Sequence, residues 1–296
     1  MSTQTSPTQK KITTQLFRQR KEKGEPITML TAYDYATALA ADRAGIDSLL
    51  VGDSLGMVVL GYENTLSVTM DDMLHHSKAV ARGAKTPLLI GDMPFMSYQV
   101  SKEEAVRNAG RFLAEGGMDT VKLEGGREVA STIEAIVNVG IPVLGHIGLT
   151  PQSIHKLGGY KAQGRTARAA RRLLEDALIL EDAGCYAVVL EAIPDRVAEL
   201  ISHKISIPTI GIGAGPSCDG QVLVTHDLLG LFDRFTPKFV RKYASLHAEM
   251  MRAFEEYRQD VTTHHFPGEE HTYSIPDGEW RALLDDLETQ PVEYHA

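Results

Sequence analysis

Cysteine is scarce in this chain, and its placement does not support a disulfide framework. Only two cysteines, Cys185 and Cys218, occur among 296 residues, and their separation is not that of a metal-binding pair. No apolar run approaches the roughly 18 residues that a membrane-spanning helix needs, and the opening MSTQTSPTQKK lacks the apolar middle of a secretory signal. We therefore expect a protein of the cytoplasm with reduced thiols and no membrane partner.

Basic charge is also in short supply. Lys and Arg number 30 against 39 Asp and Glu, which leaves a formal net charge of −9. Binding to nucleic acid is driven by clustered Lys and Arg, so this balance argues against a nucleic-acid surface. Apolar residues make up 43% of the chain, which is ordinary for a globular protein with a full core. The expected partners are small molecules.

Short β-branched apolar runs that end in polar or glycine-rich residues recur along the sequence. The clear ones are ITMLTAY, SLLVGDS, PLLIGDMP, DTVKLEGG, IPVLGHIG, YAVVLEAI and IPTIGIGAG. Continuous apolar runs of this length are typical of strands buried on both faces of a parallel sheet. Helical segments lie between them, with Asp34 predicted to cap one helix and Ser101 with Glu104 predicted as the capping box of another.

The alternation of strand and helix predicts βαβ units in a parallel sheet that either closes into a barrel or stays open. A weaker eighth run at 221–224 brings the strand count to that of a closed barrel. We predict a (β/α)₈ TIM barrel, a single domain over residues 25–260, with a doubly wound open sheet as the alternative. Residues 1–24 are expected to include a helix from Thr13 to Lys23 that caps the barrel's bottom.

The C-terminal part is predicted from its turn and cap signals. Thr236 and Pro237 are expected to begin a helix that runs to about Arg258, because proline is favoured at the first helical position. Residues 261–296 are polar and rich in turn formers, so we expect an extended tail that ends in a short helix at RALLDDLE.

Long or glycine-rich connections follow several predicted strands. Residues 55–68 and 149–164 lie at strand C-terminal ends, where barrel active sites are built, so they are expected to act as lids or to be insertions without a role. The run GIGAGPSCDGQ lacks the dinucleotide spacing and the Walker lysine. We interpret its glycines as permitting tight turns and close backbone approach at the barrel rim.

Ionisable residues recur at the same end of successive predicted strands, and a closed barrel would gather them at one mouth. With one serine, they are Asp53, Ser54, Asp92, Lys122, Glu124, His146 and Glu191. Crowded acids raise one another's pKa, so the cluster needs a cation, and hard carboxylate oxygens without cysteine favour Mg²⁺ over zinc. Taken singly, Asp53 could cap the next helix and Lys122 could pair with Glu124 on one strand face. Their shared position is harder to explain by structure alone and predicts a site.

Several segments follow one another along the chain: the run from TAYDYATALA to LSVTMDDM, then GDMPFMSY, VKLEGG, PVLGHIGLTPQS and IGIGAGPSCDGQVLVTHDLLG. In this order they resemble the ketopantoate hydroxymethyltransferase family. The resemblance extends from about residue 16 to 268, and residues after 274 go beyond the usual family ending. It implies a (β/α)₈ barrel that transfers a hydroxymethyl group from 5,10-methylenetetrahydrofolate to 3-methyl-2-oxobutanoate through a Mg²⁺-stabilised enolate. The product would be 2-dehydropantoate, for pantothenate and coenzyme A synthesis.

The family pattern also assigns roles to the polar residues. Asp53 and Asp92 would ligate Mg²⁺, and Glu124 would add a further acidic contact, directly or through water. The oxo acid would be held by a set that includes both aspartates: Asp53, Ser54, Asp92, Lys122 and His146. Glu191 would accept the proton. The family further implies a homo-oligomer, commonly a decamer of two pentameric rings.

Two rival interpretations stay open from the sequence. One is a Mg²⁺-dependent oxo-acid lyase or mutase of the phosphoenolpyruvate mutase and isocitrate lyase type, whose electrostatics are similar. Lyases of that type are expected to carry a cysteine in a mobile loop, whereas Cys185 precedes a strand here. The other is a barrel that binds without catalysis, which the complete set of polar positions argues against.

Overall fold

The computed structural model describes residues 10–232 and 235–290, and a closed barrel of eight parallel strands forms its centre. Each strand pairs with the next, and β1 pairs with β8 to complete the ring. The strands are β1 (Ile27–Thr31), β2 (Ser48–Val51), β3 (Leu88–Asp92), β4 (Thr120–Glu124), β5 (Val143–Gly148), β6 (Ala187–Glu191), β7 (Thr209–Ile212) and β8 (Gly220–Leu223). The predicted barrel and its weak eighth strand are therefore confirmed, and the open sheet is excluded.

Helices alternate with the strands around the barrel, and their ends follow the predicted cap signals. Asp34 accepts from the backbone N–H of Thr37 at 2.8 Å. Ser101 accepts from that of Glu104 at 3.1 Å, which is the serine half of the predicted capping box. The helices are α1 (Thr14–Lys23), α2 (Tyr35–Arg43), α3 (Leu55–Val58), α4 (Met70–Gly83), α5 (Lys102–Ala114), α6 (Ala130–Asn138), α7 (Ile154–Leu157), α8 (Ala167–Asp182), α9 (Asp195–Lys204), α10 (Thr225–Leu228), α11 (Leu246–Thr262) and α12 (Asp277–Thr289). Among the helices so described, none is long and apolar enough to cross a membrane.

Helix α1 closes the barrel at the N-terminal ends of the strands, as predicted. Phe17 is fully buried there, with its ring centroid 6.0 Å from that of Tyr186 in an edge-on arrangement. Three cations of the N-terminal segment pair with aspartates that each immediately precede a strand. The pairs are Lys11–Asp119, Arg20–Asp47 and Lys21–Asp219, with N–O distances of 2.7, 2.6 and 2.8 Å.

The core has two layers, one inside the barrel and one between the sheet and its helices. Ile90 of β3 is fully buried inside, whereas Phe112 of α5 is fully buried outside against the same strand. A Cβ at Gly91 would lie 2.3 Å from the Phe112 ring, so only glycine lets α5 pack this closely. Burying each such side chain stabilises the fold by about 1.5–3 kcal/mol. This packing fixes the end of β3, where Asp92 stands.

The segment after α10 differs from the prediction, since no helix begins at Thr236. Helix α11 starts only at Leu246, and the predicted start was wrong. A tertiary contact explains the difference. A Cβ added to Gly213, which has φ +64°, would lie 2.6 Å from the Phe239 ring, so this ring packs on the glycine-rich rim. The contact supports our interpretation of those glycines as allowing close approach.

A second compact unit begins at Ser245, so the unit that contains the barrel ends at Ala244 rather than at residue 260 as we expected. The second unit consists of α11, a 3-10 turn at Glu269–His271, and α12. The short helix expected at RALLDDLE is confirmed within α12, although α12 begins earlier, at Asp277. The last residues of the predicted tail, 291–296, lie outside the described residues.

Candidate active site

The polar residues predicted from the strand ends lie together at the C-terminal mouth of the barrel. Asp92, Glu124 and Glu191 are the last residues of their strands, and His146 pairs with Glu124 in register. A cavity of about 470 Å³ occupies this mouth. All seven predicted residues line it, namely Asp53, Ser54, Asp92, Lys122, Glu124, His146 and Glu191.

Acids and cations alternate around the cavity floor. The Lys122 Nζ lies 2.8 Å from the Asp92 Oδ1, 3.9 Å from the Glu124 Oε1 and 3.3 Å from the His146 Nδ1. The His146 Nδ1 is 3.5 Å from the Glu124 Oε1, and its Nε2 is 3.2 Å from the Glu191 Oε2. Of these side chains, all except that of Glu191 are buried, so their charges interact in a medium that screens them little.

Negative charge is in excess on this floor. Burial raises the pKa of Asp53 well above its ordinary value, and the nearby charges of Asp92 and Glu124 raise it further. Burial also raises the pKa of Asp92, although Lys122 offsets part of the effect. Burial disfavours the charge of Lys122, but Asp92 and Glu124 outweigh it, and the pKa of the ammonium is raised. One lysine therefore stabilises the acids only in part, and a further cation would relieve them.

The imidazole of His146 is held between two carboxylates. Burial and Lys122 both disfavour its charged form, yet hydrogen bonding to Glu124 and Glu191 prevails and raises the pKa of His146 to about 9. In return, His146 lowers the pKa of Glu124 despite the burial of that carboxyl. The two neighbouring carboxylates therefore favour the charged form of His146, in which both ring nitrogens are donors.

Gln152 is a site residue that we did not single out from the sequence. Its Nε2 donates to the Asp53 Oδ2 at 3.0 Å and to the Met93 carbonyl at 2.9 Å. Its backbone N–H donates to the Glu124 Oε2 at 3.0 Å, and its Oε1 accepts from the Tyr98 hydroxyl at 2.8 Å. Gln152 therefore holds one oxygen of each of two acids. The only signal was its place in the LTPQS motif that follows β5.

The backbone is constrained directly after Glu191 and at the neighbouring end of β5. Ala192 has φ +47°, a left-handed conformation that is unfavourable for any residue with a Cβ. Gly148 has φ +100°, and a Cβ there would lie 2.2 Å from the Glu191 carbonyl oxygen. That oxygen accepts from the Leu149 N–H at 2.8 Å. The chain thus turns sharply after Glu191, which leaves its carboxylate at the mouth with 17% of the side chain exposed.

The two long connections predicted from the sequence meet at this mouth. The hydroxyl of Tyr160, from 149–164, lies 3.6 Å from the Met57 sulfur, from 55–68, and both residues line the cavity. Their part in covering a bound ligand stays a prediction.

One structural alternative for the acids is excluded by the geometry. The residue at the N-cap of α3 is Ser54, and the Asp53 carboxylate instead accepts from Gln152. The Ser54 hydroxyl shares a hydrogen bond of 2.8 Å with the Tyr33 hydroxyl. Asp53 is therefore free of a capping role and faces the other acids.

Comparison with known proteins bears directly on this site. Residues 11–269 match the family model of ketopantoate hydroxymethyltransferase. The chain belongs to this family. A 3-methyl-2-oxobutanoate hydroxymethyltransferase from Syntrophobacter fumaroxidans is 61% identical over 257 residues, covering 87% of this chain and 91% of that protein. One from Syntrophomonas wolfei subsp. wolfei is 56% identical over 265 residues, covering 90% and 96%. This family membership makes the chain an enzyme of the transferase class.

Solved structures share the barrel at low sequence identity. A phosphonopyruvate hydrolase in complex with oxalate and Mg²⁺ superposes with a TM-score of 0.59 at 12% identity, covering 95% of this chain and 99% of that one. A phosphoenolpyruvate phosphomutase from Streptomyces platensis subsp. rosaceus gives 0.58 at 15% identity, covering 94% and 96%. At such identities the similarity shows the fold alone.

Proposed function

We propose that this chain transfers a hydroxymethyl group from 5,10-methylenetetrahydrofolate to 3-methyl-2-oxobutanoate, giving 2-dehydropantoate for pantothenate synthesis. Family membership supports the reaction class. The observation that carries the mechanism is the separation of two acidic functions: Asp53 and Asp92 are buried together, whereas Glu191 lies across the cavity and contacts His146. A metal site and a proton acceptor need this separation, because a carboxylate that ligates a metal is a poor base.

The donor set fits Mg²⁺. Over residues 10–232 and 235–290, no three His, Cys, Asp or Glu side chains form a group that could enclose a metal ion by themselves. Mg²⁺ does not require such a cage, since it keeps several waters and takes one or two protein carboxylates beside its substrate. Asp53 and Asp92 would hold it, and Glu124, already bound to Gln152, would contact it through water. When bound, Mg²⁺ supplies a Lewis acid that stabilises enolate charge on the oxo acid.

The chain's own residues would orient the oxo acid and move its proton. Lys122 and His146 are buried donors beside the acids, and with Ser54 they would bind the substrate's anionic and carbonyl oxygens. The Glu191 carboxylate would take the proton from C3 and so form the carbon nucleophile that attacks the one-carbon unit of the folate. Water supplies the hydroxyl oxygen, both carbon–nitrogen bonds of the methylene bridge break, the new carbon–carbon bond forms, and tetrahydrofolate leaves. His146, 3.2 Å from the Glu191 Oε2, would fix the direction of that carboxylate.

The lyase interpretation lacks a nucleophilic cysteine at this mouth, since neither Cys185 nor Cys218 lines the cavity. Cys185 is buried and precedes β6, and burial raises the pKa of its thiol to about 12. Such a thiol stays protonated and is inert. The transferase reaction is therefore the function that the geometry supports best.

Proton exchange at C3 without folate tests the role of Glu191. In heavy water with Mg²⁺, the parent should exchange the C3 hydrogen of 3-methyl-2-oxobutanoate, followed by proton NMR. Glu191→Gln should slow the exchange by about 10²–10⁴-fold, because it keeps the shape and removes the general base. Calorimetric binding of the oxo acid should persist. Glu199→Gln, an exposed change on α9, is the matched control.

Two results would contradict the assignment. Exchange by Glu191→Gln at nearly the parent rate would show that another group is the base. Loss of binding together with exchange would show that Glu191 positions the substrate instead.

The proposal has further parts that follow the family and the composition. It includes small-molecule substrates only, a cytoplasmic location and a homodecamer. Light scattering coupled to size-exclusion chromatography measures the oligomeric mass, and a mass other than that of ten chains would refute the proposed homodecamer.

A further inference from the structure

The cavity at the barrel mouth has a charged half and an apolar half. All the predicted site residues come from β2 to β6 or directly follow them. The ends of β7 and β8 contribute Ile212, Val222 and Val224, and the segment beyond α10 adds Phe232 and Pro237. A cavity of about 470 Å³ lies in the range that accommodates drug-sized ligands. A small oxo acid on the charged half fills only part of it.

One carboxylate stands in the apolar half. Asp227 of α10 lines the cavity and is only 9% exposed. Its side chain has no hydrogen bond or ion pair within the described part of the chain, and Lys242 acts on it only at a distance. Burial raises the pKa of Asp227, which reflects the cost of an ionised group in an apolar wall. The Asp227 side chain lines the cavity without a protein donor among the described residues, so its oxygens can accept from a ligand that carries N–H groups.

The structure holds Asp227 in this position. The Thr225 N–H donates to the Thr31 Oγ1 at 3.0 Å, and the Thr225 hydroxyl donates to the Thr31 carbonyl oxygen. The turn that carries Asp227 is thereby attached to the end of β1, inside the mouth. Asp227 therefore stays in the cavity wall, where a ligand with N–H groups would satisfy it.

We propose that the apolar half binds the pterin ring of the folate co-substrate, with the Asp227 carboxylate accepting hydrogen bonds from the adjacent 2-amino and N3–H groups. This inference rests on the proposed function, which requires a folate at the same mouth. Two adjacent N–H donors match the two oxygens of a carboxylate, and such charge-assisted pairs are strong. The flat ring suits a wall of Ile212, Val222 and Val224.

Charge also selects the end of the folate that Asp227 contacts. The glutamate tail carries carboxylates, which Asp227 would repel. Lys238 is exposed and lines the cavity, so it offers the tail a cation at the rim. The donor-rich pterin is the end that fits the acid.

Calorimetry with folate fragments tests the assignment. The probes are tetrahydrofolate, 6-methyltetrahydropterin and p-aminobenzoylglutamate, each added to the Mg²⁺-loaded full chain. Asp227→Asn keeps the shape but presents an amide N–H₂ to the ligand's donors. The substitution should weaken the binding of the two pterin-containing probes by about 10- to 100-fold and leave the binding of p-aminobenzoylglutamate unchanged. Asp182→Asn, an exposed change on α8, is the matched control and should bind all three as the parent does.

A second variant reaches the same subsite without altering the acid. Val224→Phe should fill the apolar half and weaken the binding of 6-methyltetrahydropterin. In both Asp227→Asn and Val224→Phe, calorimetry should still detect binding of 3-methyl-2-oxobutanoate. This second substitution keeps the test decisive if Asp227→Asn disturbs the fold.

Several outcomes would overturn the subsite. The first is that both variants bind 6-methyltetrahydropterin as tightly as the parent does. The second is an equal loss of affinity for p-aminobenzoylglutamate, and the third is that binding of the oxo acid is lost together with binding of the pterin. Failure of the proposed function looks different, since the parent itself would then neither exchange the C3 hydrogen nor bind tetrahydrofolate.

Discussion

Replacing Gln152 with methionine should cost both stability and metal affinity, because this side chain supplies the donor that orients Asp53. Methionine has a similar length and no donor. The substitution leaves the Asp53 Oδ2 and the Met93 carbonyl without the bonds of 3.0 and 2.9 Å that they now accept. The Tyr98 hydroxyl keeps the Glu124 carbonyl as an acceptor at 3.0 Å, so it is not left unpaired.

The magnitude follows from these two lost partners. A buried polar group left unsatisfied costs about 1–3 kcal/mol, so the free energy of unfolding should fall by about 2–6 kcal/mol. In the proposed site, Mg²⁺ would need Asp53 ionised and correctly oriented, and loss of a residue that orients a metal ligand typically weakens metal binding by about 10- to 100-fold. The stabilisation that Mg²⁺ adds should shrink by about 1.4–2.8 kcal/mol at concentrations that saturate the parent.

Urea unfolding with and without Mg²⁺ measures both quantities, and Mn²⁺ electron paramagnetic resonance gives the metal affinity without catalysis. Gln99→Met is the control, because Gln99 is exposed and its contact with the Gln152 Oε1 is long, at 3.3 Å. The reasoning fails if Gln152→Met binds Mn²⁺ as tightly as the parent, or if the two variants lose equal stability.

Two further predictions concern the same mouth. The pKa of His146 is raised to about 9, so its charged form should stabilise the metal-free protein below pH 6.5, and this contribution should vanish as the pH rises through about 9. Urea unfolding of the parent and of His146→Gln across that pH window measures the contribution. A difference in unfolding free energy that stays constant with pH would refute the prediction. Ala192→Gly should leave the free energy of unfolding unchanged or raise it by up to about 1 kcal/mol, because glycine adopts the φ of +47° without strain. The control Ala170→Gly, within α8, should lower it by about 0.5–1 kcal/mol. Equal thermal destabilisation by both substitutions would show that Ala192 is not strained.

The ends of the strands were predictable because two strong rules coincide there. Apolar runs locate parallel strands, and a closed barrel brings their C-terminal ends to one mouth. Asp92, Glu124 and Glu191 occupy the last position of β3, β4 and β6, so their convergence followed from the strand boundaries alone. The predicted side-chain roles remain proposals.

Residues that act from loops were not predictable in the same way. Gln152 lies in a 3-10 turn and Asp227 in a four-residue helix, and neither element has a periodicity that fixes where a side chain points. The helix expected at Thr236 failed for a related reason, since Phe239 packs on Gly213 far away in the sequence. Local propensity carries no information about such a tertiary contact.

The attachment of α1 also bears on how the protein folds as it is synthesised. Lys21 in α1 binds Asp219, which immediately precedes the last strand, and the two residues are separated by 198 positions. The helix therefore leaves the ribosome 198 residues before its partner, which emerges only when the first seven strands of the barrel have been made. Contacts of such long range form late, because loop closure must be accomplished before they stabilise the chain. Until then the apolar side of α1, which includes Phe17, stays exposed, and the nascent chain presents a surface to which chaperones bind and through which chains aggregate.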